Sequence, residues 1–283
     1  MSKIKLIVDS MSLIDLMDDK LGADVIRALV NFDGKEYVDG TDLSPEKLYK
    51  MMSAKPGVLP KTSQPTIGAT VEAYEKAKKE EYTDVIVITM SDGLSGTYAN
   101  TVSAKDMVEG LNIYIVNSKN GGWIEYQLAK KAKEMIDQGR KALDIVNELE
   151  KIKKEYKIYM VVGDLTLLYK GGRLSPVKFA LGQLTKTKPI LTVGAETGSI
   201  EAAGKARTMT KAVDLLLDTV ATKYPNISEL AILHSDAPEL AEEVRARLLK
   251  ARKNLPSIEV YGLVSTIGAH VGLGTVALTF RTA

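Results

Sequence analysis

Asp84-Val85-Ile86-Val87-Ile88-Thr89-Met90-Ser91-Asp92-Gly93-Leu94-Ser95-Gly96-Thr97 sets an apolar β-branched run against a loop of glycines and hydroxyls. Val85 to Ile88 have no polar face, so they read as a strand covered on both sides, and the loop beyond leads into a helix. Similar runs recur at Lys5–Asp9, Asn112–Asn117, Lys157–Val162, Pro189–Val193, Glu229–His234 and Ile258–Ser265, with helical stretches between them. Such alternation predicts an α/β fold built on a largely parallel sheet with right-handed crossovers.

Local signals fill in the connections. Ser44-Pro45 reads as an N-cap followed by a first-turn proline, and residues 120–156 read as two helices divided near Gly139. Asp33-Gly34 predicts the turn of a hairpin over Asn31–Val38, and Gly194 and Gly198 predict another over Thr192–Arg207. Val260 to Phe280 carries no Lys, Arg, Asp or Glu, but its four glycines and its hydroxyls divide it into strand, loop and strand rather than a membrane span. A length of 283 residues accommodates two lobes, about 1–160 and 161–283, the second a smaller α/β unit.

Composition narrows the chemistry. With 38 basic and 36 acidic side chains the net charge is +2, so no global field draws the chain to nucleic acid or an anionic membrane. Cysteine is absent, which removes thiol nucleophiles, disulfides and thiolate metal sites, and two histidines cannot build a multi-histidine centre. No metal and no cofactor are expected. Met1–Asp9 runs directly into a strand without an export signal, so the expected location is the cytoplasm.

Ligands of open parallel sheets bind beyond the carboxyl ends of the strands, and four segments suit that position. Ser95 and Thr97 bring hydroxyls and helix-opening N–H groups together, although Ser95 as a plain N-cap is the simpler reading. Thr62-Ser63-Gln64 places more polar groups ahead of Thr66 than capping requires. Gly171-Gly172 can be a helix stop, yet Arg173 beside it could meet a carboxylate or phosphate with a planar two-bond fork. His270 stands among Gly268, Gly272 and Gly274, a spacing that suggests close backbone approach. His234, between a strand and a helix start, reads as structural.

In this order, Asp9-Ser10, Thr62-Ser63-Gln64-Pro65, Gly93-Leu94-Ser95-Gly96-Thr97, Lys170-Gly171-Gly172-Arg173 and Gly268-Ala269-His270 with Gly272 and Gly274 resemble the motifs of DegV proteins over nearly the whole chain, 1–283. The resemblance implies two lobes, the first with the fold shared by dihydroxyacetone-kinase-like and mannose-phosphotransferase domains. It also implies one buried long-chain fatty acid whose carboxylate is held by Thr62, Ser63 and Ser95, with Arg173 and His270 nearby. Many such proteins are carrier subunits of a bacterial fatty acid kinase, presenting the head group to a separate ATP-binding subunit. Arg207, in Lys205-Ala206-Arg207, corresponds to the arginine associated with that partner's docking. No nucleic-acid partner or membrane insertion is implied, only transient lipid exchange with a membrane. The chain departs from many relatives at Leu273, where they have proline, at Asn117-Ser118, where they have Asp-Ser, and at Asp92, where they have serine. An Asp92 carboxylate would repel an anionic ligand unless it turns outward.

Two enzyme readings compete with the carrier. A serine hydrolase would pair Ser95 with His270 and an acid such as Asp9 or Asp236, but Gly-Leu-Ser-Gly-Thr is not the Gly-x-Ser-x-Gly nucleophile elbow. A phosphotransferase would carry phosphate on His270. The absence of a Walker loop argues against a kinase acting alone.

Overall fold

The computed structural model describes residues 3–163, 165–174, 187–252 and 254–282. Strands β1 (Ile4–Asp9), β2 (Asp24–Ile26), β6 (Asp84–Thr89) and β7 (Asn112–Asn117) form a four-stranded sheet of order β2-β1-β6-β7. All its pairings are parallel, as the alternation predicts. Ile7, Val85 and Val87 pack on one side against Tyr74 of α2 (Ile67–Lys79) and Ala104 of α3 (Thr97–Lys105). Leu6, Val8, Ile86 and Ile88 pack on the other against α4 (Trp123–Asp137) and α5 (Ala142–Ile152). Burial on both faces is what the uninterrupted apolar run records.

A second sheet of order β10-β9-β8-β13-β11-β12 is built from β8 (Tyr156–Val161), β9 (Lys188–Val193), β10 (Ile200–Ala206), β11 (Ile227–Ser235), β12 (Ile258–Gly262) and β13 (Thr275–Thr282). It is mixed, with β11–β12 parallel and the other pairings antiparallel. The division expected near residue 160 falls within β8, the first strand of this sheet. One face, with Tyr159, Ile232, Leu278 and Phe280, packs on α7 (Met209–Lys223) and α8 (Pro238–Ala251). The other face, through Tyr156, Ile158, Met160 and Leu233, joins the apolar cluster that contains α4 and α5. Those two helices therefore fill the space between the sheets, and each fully buried Leu or Ile there contributes about 1.5–3 kcal/mol.

A three-stranded sheet of order β4-β3-β5 packs through Val30, Phe32 and Tyr37 with Leu48, Tyr49 and Ala269. Its hairpin of β3 (Leu29–Phe32) and β4 (Lys35–Val38) turns at Asp33 and Gly34, both at positive φ (53° and 80°), as a tight two-residue turn requires. β5 (Lys61–Ser63) pairs on the far side of β3. Helix α1 (Pro45–Ala54) starts with the Ser44 side chain accepting the Lys47 N–H.

The expected strand-loop-strand over Val260–Phe280 needs correction, because the middle forms a short helix, α9 (Ser265–Val271), and His270 lies on it. Glycine and β-branched residues favour this helix poorly, so tertiary contacts decide it. Gly268 lies so close to the Tyr49 ring that a Cβ would come within 2.5 Å of it, and Tyr49 donates to Leu263 O at 2.8 Å. Thr266 donates to buried Asp39 at 2.6 Å, and Ser265 to Leu43 O at 3.2 Å. Tyr49→Phe should therefore lower stability by about 1–3 kcal/mol by leaving a buried carbonyl unpaired. Urea unfolding should show a lower midpoint at unchanged slope, and an unaltered midpoint would remove this bond from the account.

Candidate functional site

Helix α4 begins only at Trp123, and Asn120-Gly121-Gly122 ahead of it supplies no apolar bulk. A cleft lies there, with empty space of about 870 Å³ when the open solvent at its mouth is included. One wall is made by loops beyond β1, β6 and β7, through Met11, Met90, Leu94 and Asn120–Gly122. This is the crevice at the strand ends that the parallel topology dictates. The facing wall is the second sheet, where Met160, Ala277 and Leu233 form a cross-strand row beside Ile158, Val193 and Ile200. Nothing in that row is charged.

The polar groups gather elsewhere on the lining. Thr62, Ser63, Ser95, Arg173 and His270 all line this one cavity. Thr62 is the cross-strand partner of buried Val30, so alternation turns it inward; Lys61 and Ser63 are exposed, but Ser63 still borders the cavity. Its hydroxyl lies 2.7 Å from His270 Nε2. Burial, and then the charge of Arg173, lower the His270 imidazole to about 4, so the ring is neutral at pH 7. A Cβ on Gly171 would collide with that ring, which explains the glycine there.

Arg173 is aimed by the helix stop that precedes it. After α6 (Thr166–Lys170), Gly172 takes φ 78°, its N–H bonds Tyr169 O at 2.9 Å, and Arg173 N–H bonds Leu168 O at 2.8 Å. This is a Schellman ending, so the Gly-Gly pair is a helix stop and also delivers the guanidinium to the cavity. Arg173 Nε donates to Leu94 O at 2.8 Å and Nη1 to Gly171 O at 2.5 Å, tying the strand-end loop to the opposite side.

Ser95 is not the cap residue of α3, since Gly96 holds that place. Its Oγ accepts the Thr97 N–H at 3.3 Å and lies 2.9 Å from Thr97 Oγ1. Asp92 turns away from the cavity to Lys119, with oxygens at 2.9 and 3.0 Å. Burial pushes its carboxyl up, but the Asn117 hydrogen bond and Lys119 outweigh this and leave it below its usual range. The loop is also pressed from above. Ser91 donates to Gly198 O at 2.8 Å, and a Cβ on Gly93 would come within 2.7 Å of the Gly198 backbone, in the β9–β10 turn.

Several candidates lie elsewhere. His234 is not on the cavity lining, and its Nδ1 accepts the Ala237 N–H at 3.3 Å at the start of α8. Arg207 is exposed between β10 and α7. Asp9 is fully buried and accepts the N–H groups of Met11 and Met90 at 2.9 and 2.8 Å. Among the described residues no hydrogen bond joins Ser95 to His270, so the hydrolase pairing has no support. Among the described residues no three or more metal-ligating side chains form a cluster, and no helix is long and apolar enough to cross a membrane.

The DegV family, described as one of uncharacterised proteins, matches residues 3–283. This chain belongs to the DegV family. A DegV domain-containing protein of Listeria innocua is 33% identical over 285 residues, covering 98% of each chain. Among solved structures, that of DegV from Bacillus subtilis, described as a fatty acid binding protein, is 30% identical with TM-score 0.87 and covers 100% of both chains. A DegV family protein from Thermus thermophilus, whose structure is described for its fatty acid binding, is 27% identical with TM-score 0.87, covering 99% of this chain and 100% of that one.

Sequence reasoning missed Gly121-Gly122, Met11 and Met90 as lining residues of this DegV-family cavity, and also Thr266 and Thr275. The second double glycine, directly before a helix, was the available signal.

With two histidines in the chain, imidazole NMR can resolve both. His270 should titrate near 4. Between that value and an ordinary imidazole near 6.5, the unfolded chain takes a proton that the native one refuses. Stability therefore falls as pH drops through this window, by on the order of 3 kcal/mol. His270→Gln should flatten that part of the pH–stability curve, and an ordinary imidazole titration would contradict the burial argument.

Proposed function

We propose that this DegV-family protein holds one long-chain fatty acid, with its tail along the second-sheet wall and its carboxylate on Thr62, Ser63 and Ser95 beside Arg173 and His270. The observation that carries this reading is the convergence of those polar groups on a cavity whose remaining lining is mostly apolar. The description of the Bacillus subtilis and Thermus thermophilus proteins as fatty acid binding supports it. Each buried methylene contributes about 0.8 kcal/mol, so the tail supplies affinity and the head group supplies selection for an acid. Burying a carboxylate unpaired is costly, and here hydroxyls and one guanidinium would offset that cost. His270 is neutral and acts as a hydrogen-bond partner rather than a cation. If its Nε2–H donates to Thr62, the Thr62 hydroxyl proton is left for the ligand.

Protein purified gently from a bacterial host should carry fatty acid at near-stoichiometric level, read by mass spectrometry of an organic extract. Thr62→Ala and Ser95→Ala should each weaken binding by roughly 1–3 kcal/mol, the range for a hydrogen bond to a charged group. Trace lipid in the extract, or wild-type affinity in both variants, would sink the assignment.

In its finer form the reading is a carrier that presents the carboxylate to a separate ATP-binding kinase subunit in the cytoplasm. Arg207, exposed beyond the β9–β10 hairpin, is the proposed docking residue, and Arg173 the cation beside the charge that builds during phosphoryl transfer. Arg207→Ala should keep fatty-acid affinity and lose acyl-phosphate formation with the cognate subunit. Arg173→Ala should impair turnover even at saturating partner. Lost lipid with full turnover per bound lipid in Arg207→Ala would reverse the two roles.

A further inference from the structure

Beneath the cavity wall lies a polar pair that the binding reading leaves unused. Glu125, on the first turn of α4, is fully buried, and no N–H or hydroxyl donor among the described residues reaches either carboxylate oxygen. It sits within hydrogen-bonding reach of Asp9, which is also fully buried. Both oxygens of Asp9 are already accepting, Oδ1 from Met11 N–H and Oδ2 from Met90 N–H. Two ionised carboxylates have only acceptors to offer each other, so contact is favourable only if one carries a proton. No lysine, arginine or histidine among the described residues acts on either group, and the remaining charge facing them is Asp39 from the segment after β4, itself an acid.

The position of the pair matters because its partners are cavity lining. Met11 and Met90 both line the cavity, Met11 O accepts the Gly122 N–H at 2.9 Å, and a Cβ on Gly121 would meet the Met90 side chain at 3.2 Å. One carboxylate thus holds the loop after β1, the loop after β6 and, through Met11, the glycine start of α4.

We infer that Asp9 and Glu125 share one proton and that this bond makes them positioning residues for the cavity wall formed by Met11, Met90 and Gly122. Loss of the proton puts two like charges in contact with no cation near them. Asp9 then no longer sits quietly on the two methionine N–H groups, and the wall loosens. The electrostatics agree in direction. Burial raises the Asp9 carboxyl to about 7 against the opposing N–H bonds, and burial followed by the Asp9 charge raises Glu125 well above the carboxylate range. For an acid raised in this way the contribution is present at low pH and disappears as pH rises through the folded value. Retention of the ligand should therefore weaken on the alkaline side. That consequence rests on the fatty-acid reading, whereas the shared proton and the wall do not.

The test uses the full chain labelled with [13C-methyl]methionine, with Met11 and Met90 assigned by single Met→Leu variants. Both methyl signals should move as pH rises from neutral into the alkaline range in the wild type and stay still in Glu125→Gln, whose amide donates to Asp9 at every pH. Oleate affinity of the wild type should fall roughly tenfold across the same range, and that of Glu125→Gln by less than about twofold. Methyl signals that do not move in the wild type, or that move equally in Glu125→Gln, overturn the inference. Because the wild-type titration stands alone, a variant that fails to fold does not shelter it. Methyl shifts as expected with no oleate binding in any form would uphold the proton-linked wall and instead reject the fatty-acid reading.

Discussion

Everything in this molecule depends on a pair of helices that must satisfy two sheets at once. Helices α4 and α5 bury one side against the parallel sheet and the other against the mixed sheet, in one continuous apolar cluster. A helix with its side chains is about 10–12 Å across, so the sheets are held apart by that thickness wherever the helices run. Where α4 has not yet begun, the spacing persists and the filling does not. The cavity is the unfilled part of that layer, and its apolar far wall is simply the continuation of a face designed to be buried.

The sequence disclosed the parallel half of this design well, because Val85–Ile88 and its companions can only be strands covered on both sides. The polar residues were legible through their glycine neighbours, and Thr62, Ser95, Arg173 and His270 do line one cavity. Less could be read where a tertiary contact overrules local preference. Residues 265–271 look like loop and form a helix because Gly268 and Tyr49 pack together and Thr266 reaches Asp39. Glu125 was invisible for a related reason, since a glutamate in the first turn of a helix ordinarily faces water, and only the fold reveals that this one faces Asp9. The mixed pairing of the second sheet was hidden too, because buried parallel and antiparallel strands both read as apolar runs.

Charge in the site is arranged sparingly. Asp92 is withdrawn by Lys119 and Asn117. His270 is kept neutral by burial, so the guanidinium of Arg173 is the positive group at the polar end. A site of this kind discriminates by hydrogen-bond geometry more than by field strength.

The contact between the Gly93 loop and the β9–β10 turn leaves no room for a side chain. At that seam the first lobe meets the second almost backbone to backbone, with Gly93 and Gly198 facing each other and Ser91 bonded across. A methyl group at Gly93 would act as a shim against the Gly198 backbone, whereas one at Gly198, at φ 63°, would run into the Ser91 hydroxyl that bonds across the seam. Neither glycine lines the cavity, so a substitution here would change how the two sides meet without altering the lining itself.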